Sequence, residues 1–324
     1  MIELQRGEAS VEQAGDLGAP PMSGGGVRAR RMWRSFRRLP SVMVSAAIVL
    51  LLAGCALLAP WIAPFDPFDP AQLDLSDGFT PPLAVNELTG RVFILGADDQ
   101  GRDVLSAILY GLRISLFVGV AAVLFAMVIG VALGLLAGWQ GRWVDAVIMR
   151  AADVQLSFPS ILIALLIFGV ARGSVAPADR ETAAVWILVV AIGLSDWVQY
   201  ARTVRAVVSA EKRKEYVLAA RAIGCSPQRI IFVHIFPSTM SSILVMATMG
   251  LALAIISEAT LSFLGVGVPA TQPSLGTQIR VGQSFLYSGE WWILLFPALT
   301  LTILALSVNV LGDWLRDAVN PRLR

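Results

Sequence analysis

The sequence predicts an all-α integral membrane protein with six transmembrane helices, and three observations carry that prediction. Hydrophobic residues make up 56% of the chain and charged residues only 15%, whereas an ordinary soluble domain is about one quarter charged. Apolar runs near 41–63, 113–138, 147–170, 183–204, 238–264 and 291–312 approach or exceed the ~20 helical residues that cross about 30 Å of hydrocarbon. Lipid offers a backbone no hydrogen-bond partners, so such runs must be helices and not open sheet.

Taken in order, residues 1–27 carry Gly24-Gly25-Gly26 and no apolar period, and read as a disordered tail. The tail extends to about residue 40. Its Arg28, Arg30, Arg31, Arg34, Arg37 and Arg38 suit anionic lipid headgroups. Leu52-Ala53-Gly54-Cys55 in the first span mimics a lipoprotein cleavage box, and Arg30-Arg31 a twin-arginine signal. The long leader before the span and its continuation to Ala63 favour an ordinary first helix with basic flanks. Placing the N-terminus in the cytoplasm puts 19 of the 25 Lys and Arg on that side, as positive-inside topology requires. Both termini are then cytoplasmic, and the net charge of +2 reports topology and gives no support to nucleic-acid binding. Cys55 and Cys225 lie too far apart in this layout to pair.

The extracytoplasmic segment from Pro64 to about Leu112 opens with Pro64, Asp66, Pro67, Asp69 and Pro70, which predicts an extended, turn-rich excursion. Its acids read either as a docking surface for a soluble partner, with Asp98, Asp99, Arg102 and Asp103 as candidates, or as a solvated loop. Asp98 and Asp99 are placed to cap a helix. Val104, Leu105, Ile108, Leu109 and Leu112 share a face and predict a helix lying in the interface before the second span.

Within the second span Ala122, Ala126, Gly130, Gly134 and Gly138 recur every fourth residue, a ridge suited to close helix packing. In the third, Asp153 reads as a cap or salt-bridge partner, and Pro159 predicts a kink. In the fifth, Glu258 either lines a pathway, with Ser262 beside it, or marks the outer boundary.

The loop 205–237 is the most informative stretch. Lys214 to Ile223 holds no helix breaker and sets Tyr216, Ala219, Ala220 and Ile223 at helical spacing on one face, with Glu215 in the first turn complementing the dipole. Gly224 ends that helix, and Ser226-Pro227 cap and start a second short one. The small face predicts docking in a cleft of another protein. A membrane-surface helix would display more Trp, Phe and Leu.

The adjacent alanines Ala219-Ala220, then Gly224 and Pro237, resemble the signature loop of ABC-importer permeases. LGADDQGRDVLSAILYGLRISLFVG from Leu95, LSFPS from Leu156, WVQYARTVR from Trp197, LSFLGVGVPATQPSLG from Leu261 and LGDWLRDAVNPRLR from Leu311 extend the match. From about Trp33 onward the chain resembles the C-type permease subunit of dipeptide, oligopeptide and nickel importers.

The resemblance implies a type I importer fold with its permease core over 111–324, preceded by a first helix and extracytoplasmic loop over 41–110. It implies that Glu215, Tyr216, Leu218, Ala219, Ala220, Ile223, Gly224, Ser226 and Pro227 couple the bundle to an ATPase. The implied partners are a homologous second permease, two cytoplasmic ATPase subunits, an extracytoplasmic binding protein and membrane lipid, with no nucleic acid. The implied location is the bacterial inner membrane. Leu218 stands where the family usually has Glu, and Glu215, one turn earlier, is placed to take over its ionic contact.

Lys212 and Lys214, the only lysines, stand outside any phosphate-binding loop. A chain with one histidine and no cluster of Cys, His and acidic residues is expected to be neither an enzyme nor a metal site. His234 itself reads as a structural hydrogen-bonding residue, against a pH sensor or metal ligand. ATP and Mg are accordingly expected on partner subunits. The cargo is expected to be di- or oligopeptides, with nickel or another small solute as the alternative. An ion-gradient-driven transporter is the rival class, and it would show inverted repeats and embedded charges along its route.

Overall fold

Described in a computed structural model are residues 35–319 apart from 68, 70, 72, 270, 271 and 273. The disordered tail expected at 1–27 lies outside the described residues. The chain divides into two units, Met1–Pro40 and Ser41–Arg324, and the contacts that follow lie within the second.

Helix α1 (Pro40–Leu57) is followed by a four-residue turn of helix, α2 (Ala59–Ile62). The loop beyond is turn-rich, as Pro64, Pro67 and Pro70 predict, but it is organised around a buried hub. Asp77 is fully buried and pairs with Arg91 at 3.1 Å, and Asp77 also accepts from the Thr89 hydroxyl. Asn86 Nδ2 donates to the Ser76 carbonyl at 2.8 Å and closes the same cluster. The indole of Trp292 donates to the Ala97 carbonyl at 3.1 Å and ties the loop to the helical core.

Helix α3 (Val104–Gln140) runs unbroken for 37 residues, about 55 Å at 1.5 Å per residue. This corrects the expectation of a separate interfacial helix over 104–112. Nothing at the Leu112-Arg113 junction terminates a helix, so the amphipathic turn continues into the span. Its cap is Asp103, whose carboxylate accepts from Ser106 N at 2.8 Å, and not Asp98 or Asp99 as expected.

Helices α4 (Arg142–Leu156) and α5 (Ser160–Ser174) meet at 97°. The single kinked span expected over 147–170 is therefore two helices. Proline cannot supply the N–H that would carry the ladder through residue 159. The chain closes α4 with Ser157 N on the Val154 carbonyl and restarts α5 with Leu162 N on the Pro159 carbonyl. Asp153 pairs with Arg202, and Asp145 with Arg205 at 2.5 Å, which ties α4 to the next long helix.

That helix, α6 (Arg180–Glu211), packs along α3 over the small-residue ridge. A Cβ at Gly130 would lie 2.5 Å from the Trp197 carbonyl oxygen and from Tyr200 Cβ, and one at Gly138 2.7 Å from Val208 Cβ. The ridge serves packing, as its spacing predicts. After the short α7 (Glu215–Ala222) comes α8, helical from Pro227 to Phe263. It opens with one α turn, widens to a π-helix over Ile230–Ile235, and is α-helical from Phe236. The separate second loop helix expected after Pro227 is thus the base of this long rod. Helices α9 (Leu275–Phe285) and α10 (Trp292–Val319) complete the bundle. Among the described residues five helices are long and apolar enough to cross a membrane, or six spans if α4 and α5 count as one bent crossing. Among the described residues the only β pairings are two isolated bridges, Val85 with Val92 and Ala97 with Asp103.

Candidate functional site: an anchored loop helix

The end of α6, the loop helix α7 and the base of α8 form one structural piece. Val217, fully buried, and Ala220, 7% exposed, turn inward against Val204 and Val208 of α6 and Ile230, Ile235 and Ile243 of α8. Glu211 accepts from Lys214 Nζ and from the Tyr216 hydroxyl, both at 2.6 Å. Burial, then the bond to Glu211, push the Tyr216 phenol up to about 12, so it remains a donor at any physiological pH.

Trp139, at the end of α3, is clasped by two cations. Arg221 lies 4.7 Å from the ring centroid and Lys212 5.5 Å, and Lys212 also donates to the Trp139 carbonyl. Contacts of this kind contribute about 0.5–2 kcal/mol each. Burial, with Arg221 and Arg213 nearby, holds the Lys212 ammonium below its ordinary pKa.

Local capping follows the sequence. Gly224 sits at φ +80, where an L side chain would be strained, and Cys225 N bonds the Ala220 carbonyl at 3.0 Å to seal the turn. The Ser226 hydroxyl accepts from Arg229 N at 3.4 Å. His234, in the π-helix, meets the Tyr216 ring edge-on at 6.4 Å.

What stays uncovered is Leu218, Ala219, Ala222 and Ile223, with Ile223 81% exposed. Sequence spacing assigned Ala220 to this outward face. The structure corrects that: Ala220 shares the buried side with Val217, in the apolar cluster with Val204, Val208, Ile230, Ile235 and Ile243. The piece carries no reactive constellation. Its capacity is mechanical, since a load on its free face passes directly into α3, α6 and α8.

At the opposite end of the bundle Glu258 is fully enclosed. Ser115 Oγ donates to it at 2.7 Å and Ser262 Oγ at 2.8 Å, and Ser274, the cap of α9, also hydrogen-bonds it. Within this chain Glu258 and Ser262 thus join α3, α8 and α9, and neither carries surface.

Of the four acidic-loop candidates, the Asp98 and Asp103 carboxylates are bonded within the chain, while Asp99 Oδ1 and Arg102 Nε are buried without a hydrogen-bond partner among the described residues. Asp103 is 3% exposed and bonds Ser106. Asp98 Oδ1 accepts from Gln100 N at 2.9 Å and Arg102 N at 2.8 Å. Asp99 Oδ1 and Arg102 Nε are buried beside Gln278, in the wall of a recess.

Burial pushes the Asp98 carboxyl up to about 6, despite these two N–H donors. The native state therefore binds this proton more tightly than the unfolded chain. Ionised Asp98 costs stability above pH 6, and the cost fades as pH falls from 6 toward 4. Asp98→Asn is expected to raise the thermal midpoint in detergent at pH 8, by the equivalent of about 1–2 kcal/mol. The gain should shrink toward zero near pH 4; an equal gain at both pH values would point to packing as its source.

Sequence spacing did not single out the Trp139 clasp, which depends on partners far along the chain, or Glu211, although its partners Lys214 and Tyr216 lie only three and five residues on. It also passed over Asp196, which lies well inside α6 and not near a span end. A lone acid 16 residues from Arg180 within an apolar run was the available signal.

The family model described as "Binding-protein-dependent transport system inner membrane component" matches residues 130–324, and that of the "N-terminal TM domain of oligopeptide transport permease C" matches 28–82. The chain is 35% identical to the di/tripeptide transport system permease protein DppC of Pseudomonas aeruginosa, over 91% of this chain and 92% of that one. It is 39% identical to the dipeptide permease DppC of Alkalihalophilus pseudofirmus, over 71% and 72%. Against the glutathione transport system permease protein GsiD of Pectobacterium atrosepticum, identity is 35% over 91% of each. A chain of the MetNI methionine ABC transporter, in inward-facing crystals, gives a TM-score of 0.49 at 20% identity, covering 67% of this chain and 97% of that one.

Proposed function

Since the chain belongs to the family of binding-protein-dependent transport system inner membrane components, we propose that it forms half of a translocation path for di- or oligopeptides. Membership makes it a non-catalytic, multi-pass inner-membrane permease subunit of an ABC importer, which removes the ion-gradient-driven reading. Peptide cargo is supported by relatives whose names specify dipeptides, di/tripeptides and glutathione.

The second half of the path is a homologous permease. Two ATPase subunits, carrying the ATP and Mg, sit beneath on the cytoplasmic side, and a binding protein delivers cargo on the other. The arginine-rich ends and the α7 loop face the cytoplasm, with both termini, as the positive-inside rule favours. Leu83 and Leu88 of the extracytoplasmic loop, 74% and 81% exposed, support docking there, and not Asp98 or Asp103, which the loop itself engages. A peptide's polar groups cost several kcal/mol each to bury in hydrocarbon, so the path must be lined by water between two permeases.

The observation that carries this reading is α7 itself. It is fastened to three long helices and leaves a small apolar face free, the form expected of a helix seated in an ATPase cleft. Closure of the ATPase pair would then move α3, α6 and α8 together. Leu218 belongs to that free face, and Glu215 supplies the acid beside it.

Purified from its own membranes, the chain should bring down a second permease and ATP-hydrolysing subunits. The reconstituted assembly should accumulate dipeptide only with ATP and binding protein. Dipeptide uptake by the chain alone in vesicles would refute the assignment.

A further inference from the structure

A narrow recess of about 10 Å³ opens at membrane depth between α3, α6 and α8, and Asp196 stands in its wall with Gln199 and Tyr200. Ala122, Ala126 and Gly250 keep it open; a Cβ at Gly250 would lie 2.6 Å from the Tyr200 hydroxyl. Along α6, Asp196 is six residues, or about 9 Å, from Arg202 at one end of the span. Arg202 is already matched to Asp153, and Arg205 to Asp145. Among the described residues Asp196 makes no ion pair and no hydrogen bond through its side chain.

A carboxylate at this depth is costly against lipid and belongs where it meets water or a cation. Gln199 is exposed beside it, so the recess is open to the outside of this chain. Its free space of about 10 Å³ holds about one water, the size of a single ammonium head.

We propose that Asp196 receives the α-ammonium group of peptide cargo on its way through the membrane, with Gln199 beside it offering hydrogen bonds to the first peptide unit. The inference rests on the peptide-cargo reading above. Peptides of differing sequence share only their backbone and two charged ends, and of those ends a carboxylate can attract only the ammonium. A single charged contact holds cargo loosely enough to release it.

The test uses the whole importer, with its second permease and ATPases, and a photoreactive dipeptide supplied without binding protein. Wild-type α6 should be labelled by the free-amine dipeptide at least tenfold more than by its N-acetylated analogue. Asp196→Asn should lower free-amine labelling to the acetylated level and cut dipeptide uptake about tenfold. Asp196→Glu should restore much of both. Undiminished labelling and uptake in Asp196→Asn would overturn the inference. So would loss of the second permease on purification, which would make Asp196 an ion-pair partner across the subunit interface. If the wild-type importer takes up no peptide at all, the cargo reading itself falls, a result visible before any variant is made.

Discussion

Ala219→Glu is expected to abolish ATP-dependent uptake, at least 100-fold, while the protein still accumulates in the membrane at close to its normal level. Ala219 is exposed and supports none of the chain's own packing. A glutamate there therefore leaves the fold intact and places a charge and four extra heavy atoms where an ATPase cleft has to close. Leaving one buried charge without a partner at such an interface costs several kcal/mol. Ala220→Glu is the instructive contrast, because Ala220 packs against Val204 and Ile235 in the buried cluster. That variant should lower the amount of folded protein, as measured by monodisperse yield in detergent. Normal uptake by Ala219→Glu would sink the coupling role of α7.

Gly130→Leu is expected to prevent stable folding. A Cβ alone at that position approaches the Trp197 carbonyl and Tyr200 to 2.5 Å, against backbone that cannot retreat without separating α3 from α6. Overpacking commonly costs about 1–3 kcal/mol, and more where rigid backbone is the obstacle. Membrane yield and thermal midpoint read the effect. Gly169→Leu is the control: a Cβ there meets nothing within 4 Å, and the variant should behave as wild type.

The elements that sequence spacing identified correctly are those whose causes are local. Gly224 at positive φ, the Ser226 cap before Pro227, and the every-fourth-residue ridge of α3 all depend on neighbours within a turn or two, or on a period written along one helix. Expectations that changed concern choices made by distant residues. Whether Ala219 or Ala220 faces outward is decided by Val204, Val208 and Ile235. Pro159 predicts a bend. Its 97° follows from closing α4 and restarting α5 around the proline, while aspartates of α4 engage Arg202 and Arg205 of α6. Apolar period likewise cannot distinguish a helix resting in the interface from the first turns of a long span, which is why α3 begins earlier than expected. Asp196 was hidden by its own surroundings, one acid in a run otherwise fit for lipid.

The unbroken course of α8 from Pro227 to Phe263 makes it a lever. At 37 residues it measures about 55 Å, so a tilt of about 10° around its midpoint would carry each tip roughly 5 Å in opposite directions. One tip lies under the α7 loop, and near the other Glu258 grips serines of α3 and α9. Work done at the first tip thus reaches the far face of the bundle without any backbone bond having to break. What resists it there is a handful of side-chain bonds around one carboxylate, a catch weak enough to be sprung.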